Sequence, residues 1–168
     1  MKAPSKGLRL LCIGALAWAA GCAKNPSVTT AALNQSAALV GALPMNPLAW
    51  RIISSAIDPA NGTMSTLYGN DLAVGYARAN SQHDYPAGSV LSLVTWTQMD
   101  DPRWFGAKIP SQVKSVEFVT VGAAGSGADQ YSYEVYTGSP LKKAADRPYG
   151  APPDRIANLL STRAAVMP

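Results

Sequence analysis

The chain has 168 residues, 48% of them hydrophobic and 14% charged, with 14 Lys+Arg against 10 Asp+Glu. Three of the cations, Lys2, Lys6 and Arg9, lie in the first 21 residues, so the rest carries eleven cations against ten acids, a net charge of +1. That balance, with no basic cluster beyond Lys142-Lys143, excludes nucleic acid as an expected partner.

The basic start is followed by an apolar run, Leu10 to Ala20, too short to span a bilayer, and then by Ala19-Ala20-Gly21-Cys22. Small residues before a cysteine are the pattern of a lipoprotein signal, predicting cleavage after residue 21 and acylation of Cys22. The 147 residues that remain suit one domain with a real core. Cys12 leaves with the signal, so the mature chain has a single cysteine and no internal disulfide. A lipid anchor at Cys22 predicts an exported protein held on the periplasmic side of the outer membrane, Ala23 favouring the outer over the inner one.

Residues 22–30, with Pro26, Ser27 and two threonines, read as a tether, and 31–168 as the domain. Ala31 to Leu43 has helical composition, with Thr30 to cap it and Pro44 to stop it. Asn46-Pro47 begins a second expected helix, its stripe Leu48, Ile52 and Ala56 lying beside Ile53 and Ile57, closed by Asp58-Pro59 and an Asn61-Gly62 turn. Leu67-Tyr68 reads as a short strand turning at Gly69, after which Asn70 caps a helix carrying Leu72, Val74, Tyr76 and Ala77.

Val90 to Trp96 is a strand whose incomplete alternation implies burial on both faces. It must stop at Asp100-Asp101-Pro102, because proline has no donor for the ladder. Trp104 and Phe105 follow in a loop, placed either to cap the open end of the sheet, the expected role, or to line a pocket. Val113 to Val121 is a strand with its buried face open, since Val113, Val119 and Val121 share one parity and Val116 and Phe118 the other. Gly122 to Asp129 is a connection without the lysine of a phosphate loop. Gln130 to Gly138 alternates cleanly, with Tyr131, Tyr133 and Val135 against Ser132, Glu134 and Tyr136. Pro140, Pro148, Pro152 and Pro153 make an extended crossing to a last helix capped by Asp154, with Ile156, Leu159 and Leu160 on one side. Helices, then strands, then a helix predict an α+β fold with an antiparallel sheet.

Four stretches in order, YGNDLAVGYAR (Tyr68 to Arg78), YPAGSVLSLVTW (Tyr85 to Trp96), DPRWFGAKIP (Asp101 to Pro110) and VKSVEFV (Val113 to Val119), resemble the cytochrome P-460 family, which includes cytochrome c′-beta. The resemblance covers about Leu48 to Leu141. It implies a largely antiparallel β fold, a homodimer, and a c-type haem near the C-terminus that oxidises hydroxylamine or binds nitric oxide. Covalent haem needs two thiols and an imidazole as Cys-x-x-Cys-His. No cysteine follows Cys22, and Asn158-Leu-Leu-Ser-Thr-Arg163 stands where the resemblance places the cofactor. No lysine cross-link to haem is assignable to Lys108 or Lys114.

The only histidine, His83, lies in the polar loop Ser81-Gln82-His83-Asp84. It could join Asp84, Asp100 or Asp101 at a metal or hold noncovalent haem, and a solvated loop histidine is the expected outcome. Asp100 and Asp101 read as turn residues, with Arg103 and Lys108 neutralising them. The expected function is a lipid-anchored P-460-like domain without covalent haem, binding a small molecule or serving a structural role. Its pocket candidates are Tyr68, Asn70, Trp96, Arg103, Trp104 and Phe105. The alternative is a haem-containing oxidoreductase or nitric-oxide-binding protein using noncovalent haem.

Overall fold

The computed structural model describes residues 34–79, 84–122, 130–145 and 153–165. The signal segment, Cys22 and the tether, His83, most of the 122–129 connection, and Pro148 and Pro152 lie outside the described residues. Six strands form one antiparallel meander in chain order: β1 (Arg51–Asp58), β2 (Thr63–Gly69), β3 (Val90–Asp100), β4 (Lys108–Val121), β5 (Tyr131–Thr137) and β6 (Lys142–Lys143). Among the described residues two α-helices, α1 (Asp71–Arg78) and α2 (Pro153–Ser161), join the sheet. Among the described residues no helix is long and apolar enough to cross a membrane.

The sheet is apolar on both faces, as β3 foretold. Ile53, Leu67, Leu91, Val119 and Val121 lie under α1, Tyr85 and the Leu159 side of α2. On the other face Tyr68, Val94, Trp96, Val116, Phe118 and Tyr136 pack with Leu141 under the N-terminal segment, which contributes Ala37, Leu39, Leu43 and Trp50. Phe118 sits at the centre of that second layer, meeting Trp50 and Tyr136 edge to face at centroid distances of 6.4 and 5.7 Å.

The parity of β4 is broken by a bulge. Thr95 pairs with Ser115 but Trp96 pairs with Val113, so the intervening Lys114 has no partner and Val113 joins Val116 and Phe118 on one face. A strand buried on both faces with a bulge inside it cannot show clean alternation. β1 is bulged as well, between Ile52 and Ser54. Strand β5 keeps the expected alternation, with Tyr131 and Tyr133 on the helix side and Tyr136 opposite.

The two N-terminal helices expected from the sequence do not form among the described residues. Of the expected Ala31 to Leu43 helix, the described residues 34–43 form a single 3-10 turn, Gln35–Ala37, after which Ala38 is extended and Gly41 adopts φ 149°. Gly41 crosses Leu141 so closely that a Cβ there would overlap the Leu141 backbone. The contact is sealed by Leu141 N–H to Val40 O at 2.7 Å and Ala42 N–H to Leu141 O at 3.2 Å. Further on, Asn46 caps only one turn, Pro47–Ala49, and the predicted helical stripe becomes β1. Three isoleucines at 52, 53 and 57 favour the pleated surface, and pairing with β2 satisfies their backbone. The α1, β3, β5 and α2 expectations match the observed elements, with Asp154 in the first turn of α2.

Gly41→Ala should cost about 3 kcal/mol or more, because a positive φ and a backbone overlap add and neither neighbour is a flexible side-chain end. Gly75→Ala, in the interior of α1 with open space around its Cβ position, should instead stabilise by about 0.5–1 kcal/mol. Urea unfolding of the two variants checks the contrast.

Candidate functional site beneath the terminal helix

The row Ser54, Leu67, Leu93 and Glu117 runs across β1 to β4 by direct cross-strand pairing. It brings a carboxylate into an otherwise apolar layer, where an unpaired charge would be very costly. Glu117 is buried and receives three bonds. Arg155 of α2 donates from Nε at 2.9 Å and Nη2 at 2.6 Å, one to each carboxylate oxygen, and Tyr133 of β5 donates its hydroxyl at 2.5 Å. A bidentate guanidinium–carboxylate pair of this kind fixes orientation as well as charge. The Glu117 bonds hold the Arg155 guanidinium above its ordinary range against the opposing effect of burial. Burial first, and then donation to Glu117, push the Tyr133 hydroxyl up to about 12.

Beside this clasp a cleft of about 170 Å³ opens between α2 and strands β1 to β3. Leu67, Leu93 and Leu159 form its apolar part, and Ser54, Ser65, Asn158, Thr162 and the edge of Arg155 its polar part. Thr162 donates its hydroxyl to Asn158 O at 2.9 Å. Ser55, also at the rim, shares a 3.1 Å hydroxyl contact with Thr66. A second cavity, about 310 Å³, lies on the opposite side near Gln35, Val40, Gln112 and Ser139.

The six pocket candidates read from sequence are not gathered in one place. Tyr68 and Trp96 share the face beneath the N-terminal segment, as parts of a packed layer. There the Trp96 indole N–H donates to Ala37 O at 3.0 Å, and burial raises the Tyr68 hydroxyl. Asn70 organises the start of α1: its Oδ1 accepts from the Ala73 and Val90 amides at 3.0 and 3.2 Å, and its Nδ2 donates to Gly88 O at 2.8 Å. Arg103, Trp104 and Phe105 stand at the β3–β4 turn, where both rings face solvent instead of capping the sheet or lining a cavity. Asp101 takes the turn role expected of it, accepting from Arg103 N–H, whereas Asp100 is the last residue of β3; the two pair with Arg103 and Lys108 respectively, as expected. The Glu117–Arg155–Tyr133 clasp went unread. Its signal was a lone carboxylate inside the apolar run Val113 to Val121, which demands a buried partner.

Haem tests this site directly. An axial ligand for iron must come from imidazole, thiolate or a comparable donor, whereas the cleft beneath α2 offers hydroxyls, a carboxamide, a guanidinium and leucines. Its volume also falls below the roughly 300–1,000 Å³ of sites that enclose organic ligands. Among the described residues no three His, Cys, Asp or Glu side chains cluster to hold a metal ion. The residues at this position do not fit the macrocycle.

A six-stranded antiparallel meander with α1 inserted after β2 and a last described helix over one face defines a small α+β sheet protein. The cytochrome P460 sequence pattern matches residues 48–150, a span that contains all six strands and α1, and the chain belongs to that family. Helix α2 and its clasp residue Arg155 lie beyond the matched span. A comparison with curated proteins finds no match.

Arg155→Met leaves Glu117 buried with one donor. Breaking a fully buried pair costs about 3–5 kcal/mol, and with the Arg155 side chain 41% exposed the expected loss is about 1–3 kcal/mol. Adding Glu117→Leu should recover most of that loss in urea unfolding, since the orphaned charge is then gone. At alkaline pH the tyrosines decide stability. Tyr85, buried against Tyr76 with ring centroids 4.3 Å apart, is also raised to about 12. A folded-state pKa above the ordinary 10 means a contribution fully present below pH 10 and lost as pH rises toward 12. Thermal midpoints should fall through that window, and Tyr133→Phe should flatten the fall.

Proposed function

We propose that this chain is an exported, lipid-anchored P460-family domain that binds a small, uncharged, hydrogen-bonding molecule beneath α2 without covalent haem. The anchor is the acylated Cys22, and the location is the periplasmic face of the outer membrane. The observation that carries the ligand reading is the polar lining of the cleft. Among the described residues the Ser54 and Ser65 hydroxyls and the Asn158 carboxamide there engage no protein partner. Because Glu117 already neutralises Arg155, the cleft presents donors and acceptors with little net charge, which disfavours a strongly charged ligand. Its size suits a molecule of a few heavy atoms.

The second reading, a noncovalent haem protein for hydroxylamine or nitric-oxide chemistry, draws support from the family itself and would need His83 as its imidazole.

Two titrations separate them. Acetamide and glycerol, followed by amide chemical shifts, should perturb the residues around Ser65 and Asn158, with affinity falling roughly fivefold in Asn158→Leu. Haem added to wild type and to His83→Ala should give identical spectra with no stoichiometric complex. A Soret band with equimolar iron that disappears in His83→Ala would establish the second reading instead.

A further inference from the structure

The turn joining β3 to β4 carries the most exposed aromatic surface among the described residues. Trp104 is 70% exposed and Phe105 fully so, and Met99, paired with Ile109 just below, is 40% exposed. The turn is well built. Asp101 N–H donates to Ala107 O at 2.9 Å, Ala107 N–H to Trp104 O at 3.1 Å, and Arg103 N–H to Asp101 Oδ1 at 2.8 Å, while Gly106 takes φ 78°. Hydrogen bonds thus present the rings outward.

Charge around them cancels, Lys108 pairing with Asp100 and Arg103 with Asp101. A tip with two rings is far smaller than the roughly 800 Å² per partner of a stable protein interface. Amphipathic aromatic tips do suit the boundary between lipid headgroups and acyl chains, and a charge-balanced surround suits a mainly zwitterionic surface.

The chain itself points to the same occupant. Asn34, where the described domain begins, donates its side-chain N–H to Pro110 O. Pro110 pairs with Gln98, two residues from the Asp100–Lys108 pair that closes the turn, or about 7 Å along the strand. Asn34 lies twelve positions after Cys22, a reach of at most about 40 Å. The lipid-bearing end and the aromatic tip therefore leave the domain at neighbouring points.

We infer that the β3–β4 turn is a membrane foot, with Trp104 and Phe105 seated in the interfacial layer of a phospholipid surface beside the acyl anchor. The inference rests on the acylation of Cys22 proposed above. The test uses full-length protein in phosphatidylethanolamine–phosphatidylglycerol vesicles carrying brominated acyl chains, with intact mass reporting acylation separately. Trp104 emission, taken as the difference between wild type and Trp104→Tyr, should shift to the blue and be quenched. The unacylated Cys22→Ser chain should retain weak vesicle binding that falls roughly tenfold or more in Trp104→Ser/Phe105→Ser, because interfacial binding scales with the apolar area buried. Acylated protein with unquenched Trp104 overturns the foot and leaves the anchor standing. A chain that proves unacylated removes the anchor, and Cys22→Ser then decides the foot alone: binding that needs the two rings upholds it, and no such binding overturns it. A dimer dispersed by the double substitution, without quenching, gives the rings to a second copy and overturns the foot.

Discussion

Burial of β3 on both faces is the constraint from which the rest of this structure follows. Leu91 and Val94, on opposite sides of one strand, are both fully enclosed, and on β4 Val116 and Val119 repeat the arrangement. A sheet apolar on both faces must be roofed twice, since each exposed face would forfeit about 25 cal/mol per Å² of apolar surface. Helices α1 and α2 roof one face and an extended N-terminal segment the other, so three separate stretches of chain are committed by the same strand.

The two roofs are fastened differently. The N-terminal segment is held by backbone: the Gly41–Leu141 crossing, which only a residue without a side chain permits, and the Trp96 indole bond to Ala37 O. Helix α2 is held by a side-chain clasp at its start, Arg155 on Glu117, and by a backbone bond after its end, Ala165 N–H to Ile53 O at 2.7 Å. Ile53 is the extra residue of the β1 bulge. A bulge leaves its carbonyl outside the ladder, and here that carbonyl receives the chain's return.

Strands β3 and β5 and the helices α1 and α2 were legible because each announces itself locally: Asn70 before an amphipathic run, Pro102 after an apolar one, strict alternation from Tyr131 to Tyr136. What misled was local too. Leu48, Ile52 and Ala56 fall on a helical stripe, yet the neighbouring Ile53 and Ile57 are better served by β2, and a cap followed by Pro47 specifies one turn as readily as four. The gathering of Tyr68, Trp96 and Trp104 into one neighbourhood failed for a geometric reason. Tyr68 and Trp96 lie on opposed strands of the same face, while Trp104 is carried past the end of the ladder by the Asp100–Lys108 closure. The family assignment rests on the sequence pattern from 48 to 150 and does not need that neighbourhood. The carboxylate inside an apolar strand signals that Glu117 needs a buried partner but not which one, because Arg155 is 38 residues away and nothing in its surroundings names Glu117.

The clasp also bears on how the last helix is held on this sheet. Here one bidentate ion pair and one backbone hydrogen bond supply the two points that define position and direction, at opposite ends of α2. Between those two points Leu159 packs into the core with Ile53 and Leu67, and the cleft lined by Asn158, Leu159, Ser65 and Leu93 lies beside that contact. In the proposed reading the small binding site therefore shares Arg155 with the attachment of α2: the side chain that ties the helix to Glu117 also lines the cleft.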